Sequence, residues 1–257
     1  MQIYTKNTKV GKNRCIFDPG MTQSFLKDAL NFVFPRYCWI CGDRLSTTDS
    51  HLCNGCLMNL PRTRYHVRPE NPMEQLFWGC FDIQRASAFF FYHQNTPTSE
   101  ILYHLKYGHC PEIGEYMGEI YAQEILIDNP LYFSDMNAMI PLPLNPKKLK
   151  IRGYNQCDAI CKGLQQVNGL PVWDRVVERT VSNSTQTKKG RVERGLNVQG
   201  VFRLAPEQRT ALQGKHLLLV DDVCTTGATL KSLASAFEGV PDLKISILTL
   251  GLASPVF

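Results

Sequence analysis

Three observations predict an α/β fold, a mostly parallel sheet with helices on both faces, preceded by a small four-cysteine module. Short aliphatic runs near 86–92, 139–142, 176–179, 201–204, 217–220 and 244–250 alternate with helical periodicity, as in a doubly wound sheet. The run Leu217 to Val220 leads into two carboxylates, Asp221 and Asp222, and a small-residue loop from Cys224 to Thr229. A helix follows, with Leu230, Leu233, Ala234 and Phe237 at i, i+3, i+4 and i+7. Finally, Cys38-Trp39-Ile40-Cys41 and Cys53-Asn54-Gly55-Cys56 form two Cys-x-x-Cys knuckles with eleven residues between them.

The central stretch has a physical use. In open α/β sheets, ligands sit outside the carboxyl ends of the strands. A loop without bulky side chains lets backbone N–H groups wrap a phosphate, and the helix dipole favours its charge. Thr225, Thr226 and Thr229 add hydroxyl donors without adding charge. The paired aspartates beside that cradle can bind sugar hydroxyls or a hydrated Mg²⁺. Phosphate, hydroxyls and metal describe a phosphorylated ribose; the plain alternative is a strand, a polar turn and a capped helix.

The two knuckles can place four thiolates tetrahedrally about one Zn²⁺, with disulfides, an iron site or free thiols as the alternatives. Gly42 and Gly55 permit the tight turns, and no His or water position suggests a catalytic metal. The other cysteines read as core thiols. Cys157 and Cys161, beside Ile160, Leu164 and Val167 on one helix face, are expected to be small buried hydrophobes.

The remaining elements follow in order. Residues 1–20 are polar and basic without periodicity, and read as a disordered extension or an early start codon. Residues 21–35 read as an amphipathic helix ended by Pro35, and 57–79 as a linker. Residues 85–93 form a strand, and 99–107 and 113–127 form helices. Lys106, before Gly108, could close the phosphate site, but a solvated lysine at a helix end is the weightier reading. A second buried strand, 138–142, leads into Pro143-Leu144-Asn145-Pro146-Lys147-Lys148, a junction that carries cations. Arg152-Gly153-Tyr154-Asn155-Gln156 then opens a helix ending near Val167. The polar segment 180–197, with Gln186, Lys188, Lys189, Arg191 and Arg194, reads as a lid over a bound polyanion or as a disordered connector.

Totals bound the function classes. The 257 residues, 44% hydrophobic and 20% charged, suit one medium domain with an accessory module. No apolar run approaches the roughly 20 residues that span a bilayer, and the N-terminus lacks a secretory apolar core, so a cytoplasmic protein is expected. Net charge is +5, yet residues 141–203 alone carry twelve Lys or Arg against four Asp or Glu. That concentration suggests a polyanionic ligand.

The run Val220-Asp221-Asp222-Val223-Cys224-Thr225-Thr226-Gly227-Ala228-Thr229 resembles the phosphoribosyl pyrophosphate (PRPP) motif of type I phosphoribosyltransferases. With the knuckles, Leu-Lys-Tyr-Gly, Pro-Leu-Pro-Leu, Arg-Gly-Tyr-Asn-Gln and Arg-x-x-Arg-x-x-Asn, the chain resembles the ComF family over about residues 22–251. The resemblance implies zinc at Cys38, Cys41, Cys53 and Cys56. It implies PRPP, with Mg²⁺, at Asp221, Asp222 and Val223 to Thr229. The two aspartates would serve catalysis by holding the ribose hydroxyls, their metal contact being shared or second-hand. Asn145, Lys147, Lys148, Arg152, Arg191 and Arg194 become candidates for pyrophosphate or lid contacts. The implied organisation is a helix and zinc module over 21–65 and a phosphoribosyltransferase-like domain over 80–257. Single-stranded DNA and competence or DNA-processing proteins are the implied partners, and a non-enzymatic DNA-handling adaptor is the alternative. No glutamine amidotransferase domain precedes the fold, which argues against ammonia transfer within this chain.

Overall fold

The computed structural model describes residues 34–94, 96–180 and 201–253. The expected extension over 1–20, most of the helix over 21–35, and the lid candidates Arg191 and Arg194 lie outside the described residues.

Four parallel strands form the central sheet in the order β1 (Ile83–Tyr92), β6 (Lys244–Ala253), β5 (His216–Cys224) and β2 (Ala138–Pro141). Alternation along β5 supplies both sides of the core, because successive side chains in a strand point to opposite faces. Leu218 and Val220 pack with Phe89, Met139, Leu248 and Leu250. That face is covered by α3 (Pro97–Tyr107), α4 (Glu112–Asp128) and α6 (Gln156–Asn168), through Leu105, Met117 and Leu164. Leu217 and Leu219 pack on the other face with Ile245, Ile247, Leu230 and Phe237. Leu230 belongs to α8 (Ala228–Ser235), the helix that follows β5, the short α7 (Arg209–Leu212) lying before that strand.

Several expectations are corrected. The runs near 176–179 and 201–204 do not join the parallel sheet: β3 (Val177–Arg179) and β4 (Phe202–Leu204) pair antiparallel with each other. Their apolar residues, Val177, Phe202 and Leu204, are buried against the sheet's second face, so aliphatic content alone could not distinguish the two roles. The helix opened by Arg152 to Gln156 is α6, and a further helix, α5 (Pro146–Arg152), occupies the segment read as a loop, the two separated where Gly153 takes φ +81°. The Asn155 side chain caps α6 by accepting the Cys157 N–H at 3.2 Å.

Residues 57–79 are not a linker. After α1 (Asn54–Met58), Thr63 N–H donates to Phe89 O at 3.1 Å and Phe91 N–H to Pro61 O at 2.8 Å, so this segment runs along the edge strand β1. Met73, in α2 (Pro72–Gln75), and Phe77 are fully buried. Arg62 ties the segment to α4, donating to Glu124 at 2.6 Å and lying 4.9 Å above the Phe89 ring.

Helices α4 and α6 approach closely because glycines line the crossing. A Cβ on Gly163 would overlap the Glu115 carbonyl, and one on Gly118 the Ile160 carbonyl. Gly163→Ala is therefore expected to cost about 1–3 kcal/mol through overpacking. The reading is a lower denaturation midpoint at unchanged slope; wild-type stability would mean that the helices separate freely.

Candidate functional site

β5 extends further than its aliphatic run, because β6 continues beside it: Asp221 lies opposite Thr249 and Cys224 opposite Leu252. The two carboxylates are thus ladder residues, both buried. Strand alternation sends them to different faces and different partners. Asp221, in phase with Leu217 and Leu219, accepts the thiol of Cys157 at 3.6 Å and the Asp222 N–H at 2.8 Å. Asp222, in phase with Leu218 and Val220, lies 3.3 Å from the Lys106 ammonium through Oδ2. The ammonium is not aligned as a hydrogen-bond donor, so Oδ2 has a counter-charge but no hydrogen-bond partner.

This corrects the reading of Lys106 as a solvated lysine: it turns inward from the last turn of α3 and is only 23% exposed. Cys157 is buried as expected, but it also touches the acidic pair. Burial, then the neighbouring Asp222, pushes the Asp221 carboxyl up from the ordinary 3.8 to about 7, against the opposing pull of the Asp222 N–H, Lys106 and Cys157.

The loop beyond the pair is open. Thr225, Thr226, Ala228 and Thr229 are exposed, Val223 is half-buried and Cys224 is buried. Gly227 takes φ +73° at the start of α8, and a Cβ there would come 2.9 Å from Phe77. Glycine therefore answers both the turn and the close ring. The Thr226 hydroxyl accepts the Ala228 N–H at 3.4 Å. Exposed hydroxyls at a helix start suit an anion.

A second loop leaves the sheet alongside the first, since Pro141 of β2 lies opposite Val220 and Leu142 N–H donates to Val220 O at 2.9 Å. In it, Asn145 caps α5 by accepting the Lys147 N–H at 2.9 Å, while the Lys147 and Lys148 side chains are exposed. Arg152 turns away from solvent: it donates to Gln156 at 2.7 Å and lies 5.5 Å above the Tyr107 ring. A hollow of about 400 Å³ near Leu149, Tyr154 and Asp158 lies off the acidic pair, and its Glu115 and Lys162 already pair with each other at 2.8 Å.

The four knuckle cysteines converge, with Sγ atoms all within 4.8 Å of one another. Four sulfurs about 2.3 Å from a tetrahedral zinc lie about 3.8 Å apart, and Cys41 and Cys53 Sγ are separated by 3.8 Å. Backbone N–H groups point at the sulfurs, Cys53 N at Cys38 Sγ and Cys56 N at Cys53 Sγ, both at 3.4 Å. Burial raises the Cys38 thiol, but the N–H groups of Cys41, Cys53 and Ile40 outweigh it and bring it down to about 7. The donor set fits a structural zinc. Trp39 carries the module onto α3, its ring 4.6 Å from that of His104.

No family model matches the sequence. DNA utilization protein YhgH of Escherichia coli K12 is 27% identical over 216 residues, 78% of this chain and 89% of that one. Competence protein F of Haemophilus influenzae is 31% identical over 110 residues, 42% of this chain and 48% of that one. Competence protein ComFC of Bacillus subtilis is 29% identical over 93 residues, 36% of this chain and 35% of that one. Over these stretches the chain is similar to the ComF proteins. Among solved structures, it is similar to a hypoxanthine phosphoribosyltransferase from Trypanosoma cruzi at 18% identity, covering 57% of this chain and 74% of that one. The TM-score is 0.32, too low to carry an argument. No helix among the described residues is long and apolar enough to cross a membrane.

Two predictions follow from this geometry. Cys38→Ser or Cys56→Ser should unfold or aggregate the N-terminal module, because metal binding is folding energy in such knuckles. Protein purified without added zinc should carry one Zn²⁺ per chain, and a folded, soluble preparation with almost no metal would refute this. The second concerns Asp221, whose folded-state value lies above the unfolded one. Its stabilising contribution is therefore full below about pH 4 and lost as pH rises through about 7. Asp221→Asn keeps an acceptor for the Asp222 N–H and removes that loss. Its melting temperature, relative to wild type, should rise more at about pH 8 than at about pH 4; equal changes at both would mean that the carboxyl does not titrate between them.

Proposed function

We propose that the protein binds PRPP together with Mg²⁺ and carries out, or descends from, phosphoribosyl transfer in the service of DNA utilization in the cytoplasm. The observation that supports this best is the buried pair Asp221–Asp222 at the start of an open loop of small residues. The exposed Thr225, Thr226 and Thr229 suit the 5′-phosphate, and Asp222 Oδ2, which has a counter-charge but no hydrogen-bond donor, suits a ribose hydroxyl. We assign the aspartates to the sugar and Mg²⁺ to the pyrophosphate end, where it would supply neutralising charge.

In the proposed reaction, the bond from the ribose C1 to the pyrophosphate oxygen breaks, pyrophosphate leaves with the electron pair, and a nucleophile bonds to C1. Lys147 and Lys148, exposed in the first turn of α5, favour the departing charge. The names of the relatives point to DNA, and the cations of α5 fit a single-stranded polyanion; these favour the second reading, a DNA-handling adaptor working with competence or DNA-processing proteins.

Calorimetric titration with PRPP and Mg²⁺ separates the two. Replacing both Asp221 and Asp222 by Asn should weaken PRPP binding tenfold or more with the fold intact, since each charge-assisted hydrogen bond is worth about 1.5–3 kcal/mol. Equal affinities, or no binding to either protein, would leave the adaptor reading.

A further inference from the structure

The acidic pair has a cation of the protein's own, and two sequence motifs hold it there. Lys106 lies between two clamped neighbours. On one side Leu105 is fully buried, and its carbonyl accepts the Tyr154 hydroxyl. On the other, the Tyr107 ring lies under the Arg152 guanidinium, which is itself held by Gln156 at 2.7 Å. His109, just past the helix, shares a hydrogen bond of 3.1 Å with the Arg152 carbonyl. Leu105-Lys106-Tyr107 and Arg152-Gly153-Tyr154-Asn155-Gln156 thus interlock, and the residue left between the clamps reaches Asp222.

We propose that Lys106 is a positioning residue of the PRPP site, the fixed counter-ion through which the acidic pair receives the ribose hydroxyls without a metal ion bound directly to it. Arg152 and Tyr154 then serve the site from a distance, by fixing the backbone on either side of Lys106. The proposal rests on the PRPP reading of the pair. A long flexible side chain loses rotamer freedom when held inward, so an unclamped lysine would be expected in solvent. Here it faces a buried oxygen that has no other partner.

The other groups around the pair do not supply this charge. From α6, Cys157 meets Asp221, with Asp158 behind it; on β5, Cys224 lies close to Asp221, and Lys231 of α8 acts on Cys224. On β6 Asp221 lies opposite Thr249, and just past β2 the uncharged Leu142 bonds Val220, the residue before the pair. Lys106 is the one cation paired with either carboxylate among the described residues.

The test uses the full chain, with Lys106→Met and Lys106→Arg. Carbon-13 NMR of labelled aspartates, assigned through Asp221→Asn, follows the titration of Asp221, and calorimetry follows PRPP with Mg²⁺. Lys106→Met should move the titration of Asp221 up by about one pH unit, a tenfold change in proton affinity. PRPP affinity should fall about tenfold near pH 7 and recover towards wild type near pH 8.5, as Asp221 regains its charge. Lys106→Arg should retain both properties. An unchanged titration in Lys106→Met, in a protein whose wild type binds PRPP, overturns the role of Lys106 alone. A pH-independent loss of affinity would also overturn it, since that marks a purely structural lysine. Wild-type protein that takes up no PRPP overturns the phosphoribosyl reading itself, whatever the titration shows.

Discussion

Two neighbouring carboxylates are buried in a strand that is covered on both faces, and much of the described structure answers their presence. Charge leaves water at a cost of several kcal/mol per ion unless it is compensated. Alternation along β5 prevents one partner from serving both groups. Asp221 draws the Cys157 thiol and its neighbour's amide, whereas Asp222 draws Lys106 from the helix α3 over its own face. The compensation is incomplete, since Asp221 is pushed up to about 7 and Asp222 Oδ2 has no donor. An under-compensated carboxylate pair at the carboxyl end of a parallel sheet is a local weakness, and under the proposed function a ribose hydroxyl donating there would relieve it.

The N-terminal module contributes to the same arrangement. Its cysteines are too few and too near the surface to make a core, so four thiolates about a metal would supply the cross-link that hydrophobic burial cannot. Cys38, Leu45, Leu52 and Leu60 nevertheless join the cluster that contains Leu105 and Met117. Trp39 meets His104 on α3, and His51 meets Tyr116 on α4, with ring centroids 5.4 Å apart. The module therefore braces the helix that carries Lys106, and a change in the knuckles would reach the acidic pair through α3.

Some of this was legible in the residues and some was not, for physical reasons. Periodicity marks β1, α4 and β5 because each buries a face through contacts local to the element, and Cys-x-x-Cys spacing marks the thiol cluster because its geometry is local too. The turn before α8 is read for the same reason, but it is only Thr225 to Gly227, since β5 takes Cys224 and α8 takes Ala228 and Thr229. What escaped notice depends on distance along the chain. Lys106 meets Asp222, and Cys157 meets Asp221, only once the sheet has formed. Residues 57–79 look like a linker because Pro, Arg and Asn dominate them, yet Arg62 and Thr63 find partners on α4 and β1 that no local pattern announces. The antiparallel pairing of β3 with β4 was hidden likewise, since both strands are three residues long and equally apolar in either role.

The motifs gain a different meaning once their contacts are known. Arg152 has the charge for a pyrophosphate contact, but its guanidinium is buried between Gln156 and Tyr107. The exposed Lys147 and Lys148 remain to meet an anion directly. A buried guanidinium with a hydrogen-bonded partner and an aromatic face below it is a rigid joint, because its planar fork offers few alternative geometries. That rigidity suits a residue whose task is to hold another helix end in place. The cations of the stretch from Lys147 to Arg152 thus divide by exposure: the outer ones are free to follow a charged ligand, and the inner one fixes the lysine that faces Asp222.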